Sequence, residues 1–320
     1  MKTKLVICFL AIVLFLTINP ASSSAISDEN VYLYATTGWD YNSNPGQKPS
    51  DAATARRVPG HGGAVYTQNA KLGFKANPQG PFDVEAMYDY YQYFNTTRPN
   101  TLYDSLIHTF TLRPSYLFGS TKFYLPFVFN LTDVQSDKYS NSFLLQPTVF
   151  HRYNQEWGFE LAMNLLREYV SAPVAIGEFN RSARTIGFLG GVYYFLSQDK
   201  GYVQARFGYD RVSAVGRNNV GSKILMMVNL LYQATPRLKL NPFISIGVDP
   251  YDFRYNDAVI LHNVRDDTTI KIGAIVTYNV YKWVDLNVHY YVTREISNIK
   301  LYDYEQHMVG ALLSFTYGRP

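Results

Sequence analysis

From Val31 to Tyr317 the chain repeats stretches of about a dozen residues in which apolar and polar side chains alternate. Alternation at period two marks a strand whose two faces meet different surroundings. When every strand shows it, and aromatics sit near the strand ends, the simplest solution is a barrel closed on itself in a lipid bilayer. The expectation is an all-β fold: a transmembrane antiparallel up-and-down β-barrel of about 14 strands.

The strands are read at Val31–Asp40, Ala64–Lys75, Phe82–Phe94, Leu106–Phe118, Lys122–Leu131, Asn141–Tyr153 and Gly158–Tyr169. They continue at Arg184–Leu196, Tyr202–Val212, Lys223–Ala234, Leu238–Asp249, Thr268–Val280, Val284–Glu295 and Gln306–Tyr317. Short turns such as Asn77–Gly80, Gly119-Ser120 and Tyr281–Trp283 alternate with longer or more polar connections. Outer-membrane barrels combine short periplasmic turns with longer external loops, so both chain termini are expected on the periplasmic side. An even strand number closes the sheet, and in lipid an open edge would leave backbone groups unsatisfied at several kcal/mol each. About twelve residues rise roughly 40 Å, which a tilt near 40° reduces to about 30 Å, enough for the apolar band.

The N-terminus reads as a secretory signal. Lys2 and Lys4 precede an apolar core from Leu5 to Leu16, Asn19-Pro20 breaks it, and Ser23-Ser24-Ala25 supplies small residues for cleavage. The expected division is residues 1–25 as signal peptide and 26–320 as one barrel domain. Cys8, the single cysteine, falls inside the leader, so the secreted chain carries no disulfide or thiolate metal site. Removing Lys2 and Lys4 from 29 basic residues leaves 27 against 25 acidic ones, a balance that argues against nucleic-acid binding. Only Ile26–Asn30 separates the cleavage point from the first strand, so no plug domain is expected there.

Period two also sorts the faces. Phe123, Leu125, Phe127, Phe129 and Leu131 form one outward stripe, and Phe159, Leu161, Met163 and Leu165 another. Trp157, Trp283, Tyr281 and Tyr317 sit at the short-turn side, where amphipathic rings suit the headgroup layer. The opposite faces give the candidate pore lining: Lys71, Lys75, Asp83, Glu85, Asp89, Arg113, Lys122, Glu160, Arg206, Asp210, Lys239 and Lys271. Asn164, Glu168, Lys223, Asp249, Asp285, Asn287, His289 and Glu295 share that face, and Asp40 is placed at the rim. These charges either pair across strands to fill a wet interior or form a selectivity lining. Their near balance leaves the sign of any preference open. The basic loop Tyr41–Gly62 is a candidate for folding inward or touching lipopolysaccharide phosphates.

No nucleophile motif appears, the histidines lie apart along the chain, and Arg265-Asp266-Asp267 is a weak cation-ligand signal, so neither an enzyme nor a cofactor is expected. The stretch Met308–Tyr317, a Gly followed by alternating large apolar residues, resembles the insertion signal of Gram-negative outer-membrane proteins, although Gly318-Arg319-Pro320 follows it. That resemblance implies the barrel assembly machinery as a partner and the outer membrane as location. The run Tyr103–Val170, with its Asp137-Lys138-Tyr139 loop exit, is similar to the barrel of surface lipoprotein assembly modifiers, here without their tetratricopeptide repeats. It implies architecture, not activity. The functional expectation is a porin-like channel for small solutes or a secreted chain. The alternative is a barrel that holds or exports another polypeptide or polymer with a periplasmic partner.

Overall fold

The computed structural model describes residues 30–45, 47, 62–77, 79–97, 100–135, 137–171, 180–197, 200–254 and 264–318. The expected signal peptide, residues 1–25, and most of the loop Tyr41–Gly62 lie outside the described residues, as does His262.

Fourteen antiparallel strands follow one another around a closed sheet. They are β1 Val31–Asn42, β2 Gly63–Lys75, β3 Phe82–Asn95, β4 Ser105–Phe118, β5 Thr121–Tyr124 continued at Phe127–Val134, β6 Asp137–Leu145 continued at Thr148–Arg152, and β7 Trp157–Val170. The rest are β8 Ala183–Phe195, β9 Gly201–Ala214, β10 Gly221–Thr235, β11 Leu238–Arg254, β12 Val264–Tyr281, β13 Val284–Ser297 and β14 Tyr304–Tyr317. Closure is made by β1 against β14, from Leu33 opposite Tyr317 to Asn42 opposite Met308. The stretch that resembles an insertion signal is therefore the closing strand.

Parity holds all the way round. In β1 the odd residues pair with odd residues of β14, and each strand hands the same face to its neighbour. Outward rows carry the large exposed apolar side chains: Leu72, Phe74, Phe127, Leu161, Ile186, Ile272 and Val288 are 44–61 % exposed. A water-soluble chain would bury such rows. Facing outward around the ring, they are a surface for lipid. Trp157, Tyr281, Trp283 and Tyr317 are exposed at the short-turn rim as expected, and Trp39 and Tyr41 mark the other rim.

Two features differ from the sequence reading. The connection after β5 is a tight hairpin instead of a longer loop, with Gln135 at φ 55° in the left-handed region and its N–H donating to Asp104. And β5 and β6 are each broken once, at Leu125-Pro126 and Gln146-Pro147. Together with Pro114 of β4, these prolines sit side by side in three adjacent strands. Leu125 N–H donates to Pro114 O (3.0 Å), Gln146 N–H to Pro126 O (3.1 Å) and Met163 N–H to Pro147 O (3.0 Å). Antiparallel partners exchange two such bonds, and proline has no N–H to return the second. The Thr148 hydroxyl replaces one of them by donating to Gln146 O at 2.9 Å.

Candidate functional site

The lumen is the site, and cross-strand register decides which of its charges meet. Lys71 stands opposite Asp89 on β3, and their ion pair is 3.4 Å. Glu85 stands opposite both Lys75 and Arg113; it is buried, pairs with Arg113 and accepts the Tyr32 hydroxyl at 2.8 Å. Glu160 takes Arg206 at 3.0 Å and the Tyr193 hydroxyl across the small Gly191. Asp210 accepts Asn164 Nδ2 at 3.0 Å from two strands away. That reach depends on Gly187 between them, where a Cβ would fall 1.9 Å from the Asp210 carboxylate.

The remaining candidates sit differently. Lys75, Lys122 and Lys271 lie over the rings of Tyr32 (5.8 Å), Tyr124 (5.1 Å) and Tyr291 (4.1 Å). Such ring contacts hold a cation without neutralising it. Asp83 is a turn residue: its carboxylate accepts the Asn77 backbone N–H at 3.0 Å, which ties it to the β2–β3 turn at the mouth instead of the lumen wall. Lys239 lines a cavity of about 760 Å³ at the short-turn end together with Lys71, Arg237, Lys282 and Asp285. A second lumen cavity of about 380 Å³ lies between Arg113, Tyr124, Gln146, Glu160 and Tyr193.

Asp40 is not at the rim. It is 6 % exposed inside the barrel, accepts the Thr67 hydroxyl at 2.6 Å and lies 3.0 Å from His289 Nε2. The residue between them in the ladder is Gly310, where a Cβ would meet Asp40 at 1.8 Å. The position was misjudged because nothing in β1 alone shows that β14 leaves a gap opposite it. Arg265 and Asp267 lie in β12 and pair with each other, with Arg265 over the Tyr302 ring, so that carboxylate is taken by a cation of its own chain. His108, His151 and His307 face outward and bond to Tyr88 (2.8 Å), Thr121 (2.9 Å) and Tyr290 (2.9 Å).

Inward tyrosines were the residues that sequence reasoning passed over. Tyr32, Tyr91, Tyr93, Tyr124, Tyr193 and Tyr291 share the parity of the lumen charges. The same period-two pattern that sorts the charges places these rings on the inner face, and it was applied there only to charged and amide side chains.

The charges are also sorted along the axis. Counted from the short-turn ends, Lys75, Lys122, Lys239, Lys71, Arg113 and Arg206 fall in the lower half. Asp40, Asp89, Glu168, Asp210, Asp249 and Glu295 fall in the upper half. Asp83, Glu85, Glu160 and Asp285 also lie below, and Lys223 and Lys271 above, so the two halves lean to opposite signs without being purely of one.

No family model matches the chain, and no curated protein matches it in sequence. Solved structures do. The outer membrane channel DcaP of Acinetobacter baumannii superposes with a TM-score of 0.51 at 13% identity, covering 90% of this chain and 97% of that one. The toluene transporter TodX of P. putida gives 0.51 at 9% identity over 94% and 93%. The anion-selective porin from Comamonas acidovorans gives 0.50 at 8% identity over 90% and 98%. The chain has the fold of an outer-membrane β-barrel.

Proposed function

We propose that the protein is a passive channel of the Gram-negative outer membrane for small solutes, narrowed by its own side chains. The observation that carries this reading is the inward face. A barrel serving only as an anchor needs a filled interior, whereas this one leaves cavities of about 760 and 380 Å³ between charged and phenolic side chains. Eight strands are filled by side chains and 16–18 leave an aqueous channel, so fourteen suits a constricted path. Three neighbours whose names describe a channel, a transporter and a porin support it by architecture.

The lower half supplies a direction. Lys71, Arg237, Lys239 and Lys282 around one cavity, with Asp285 as the acid among its lining residues, favour small anions at the periplasmic mouth. An excess of acids above and of cations below gives an axial field, so current through a single orientation should rectify.

The test is single-channel recording of the refolded mature chain in a planar bilayer. Steady, rectifying current is the expected result. A silent but closed barrel would refute the open channel and favour the alternative in which another polypeptide occupies or gates the lumen.

A further inference from the structure

The lipid-facing wall carries a groove of about 680 Å³ across β3 to β8. Register defines its two banks. The upper bank is the outward row Phe110, Phe129, Phe143, Arg167 and Arg184, each opposite the next. The lower bank is the outward row Leu112, Phe127, Leu145, Leu165 and Ile186, which begins at Ala86. Between them runs the row Thr111, Val128, Leu144, Leu166 and Thr185, whose side chains point inward and whose backbone is the floor. Phe110, Phe129 and Phe143 pack at 6.4 and 4.6 Å between centroids.

One end of this apolar groove is strongly basic. Arg167 and Arg184 are directly opposite each other on the outward face of β7 and β8, with Phe143 and Ser213 as their other ladder partners. Like charges directly opposite destabilise a sheet, and a cation on the lipid face is tolerated only near an interface. Arg167 is ten residues up from Trp157, so at roughly 2.6 Å of height per tilted residue it lies about 26 Å above the short-turn rim. That is the headgroup level of the outer leaflet. Its guanidinium rests 4.8 Å from the Tyr169 ring. From the arginines the groove descends into the apolar band, spanning about 19 Å from β8 to β4.

We infer that this groove is a binding site for a phosphorylated acyl lipid of the outer leaflet, of the lipopolysaccharide type. A phosphate sits between Arg167 and Arg184, and one acyl chain lies along the phenylalanine row. The guanidinium forks suit a phosphate, and bridging them converts the like-charge contact into an attractive one. Another outward arginine, Arg211, shows the contrast, because Asp252 already pairs with it.

The test is native mass spectrometry of the refolded barrel released from neutral-lipid nanodiscs doped with diphosphoryl lipid A. Wild type and Arg211→Gln are expected to retain one lipid A, and Arg167→Gln/Arg184→Gln at least tenfold less. Equal retention by the double variant overturns the proposal. So does equal retention of a non-phosphorylated glycolipid with the same acyl chains. Retention of inorganic phosphate alone, as strong as that of lipid A, would assign the arginines to a free anion and also overturn it. Should the double variant fail to close, Leu145→Trp provides an independent readout. Lipid A with brominated chains should quench it at least twofold more than brominated neutral lipid at equal mole fraction, and equal quenching contradicts the site.

Discussion

The two sides of the barrel wall are built on different principles. Around the closing seam, β13, β14, β1 and β2 run unbroken, and their inward faces are locked by side chains. Asp40 holds His289 and Thr67, Thr36 and Ser314 bond at 3.0 Å, and Asn287 Nδ2 donates to Ser314 Oγ at 2.6 Å. Across β4 to β6, three prolines remove ladder bonds and the inward row Thr111, Val128, Leu144 has little to lock with. On the outside, the same side bears the groove. The difference teaches that a barrel need not be uniformly strong: the seam, where opening would expose a strand edge to lipid, takes the polar network, and the opposite wall takes the adaptable surface.

The largest effect should come from exchanging the faces. Phe127→Arg places a charge on the lipid side near mid-height and is expected to cost about 2–4 kcal/mol of folding free energy, measured by denaturant titration in vesicles. Thr111→Arg, one strand away but inward, should fold within about 1 kcal/mol of wild type. Equal losses at both would dissolve the inside–outside assignment.

Next is the Glu85–Arg113 pair. Arg113→Ala leaves a buried carboxylate whose remaining partner is the Tyr32 hydroxyl, and a loss of about 2–3 kcal/mol is expected, discounted for the partial exposure of Arg113. Gly310→Ala should cost about 1–3 kcal/mol, because its Cβ would displace Asp40 from His289. Gly190→Ala, whose Cβ meets nothing within 4 Å, is the matched control and should be near neutral. The smallest change sharpens the comparison from the weak side: Pro147→Ala restores an N–H opposite Met163 O and should stabilise by about 1 kcal/mol. Destabilisation would mean that the break is a required bend.

Strand number and the facing of most charged residues were legible in the sequence because period two is a local property, whereas β6, β11 and β12 run four or five residues further at their upper ends than the alternation marks. Lys71, Glu85, Arg113, Glu160 and Arg206 all point inward as their parity required. Which of them would meet was not legible, since pairing depends on register between strands far apart in the chain. Asp40 and His289 are joined only through Gly310 of a third strand. Asp83 shares the inward parity but is claimed by a local turn. Pro126 and Pro147 were visible as residues, but their alignment with Pro114 appears only when β4, β5 and β6 are laid side by side. The row of three phenylalanines ending in two arginines is likewise a property of five strands, invisible in any one.

The contrast between the walls is tested most directly by residue-resolved hydrogen exchange of the barrel in bicelles. Amides of Leu125, Gln146 and Met163 should exchange at least tenfold faster than those of Thr36, Gly38 and Leu312 at the seam, a difference of about 1.4 kcal/mol in local opening. Uniform protection around the ring, or faster exchange at the seam, would contradict a barrel with one locked and one yielding wall.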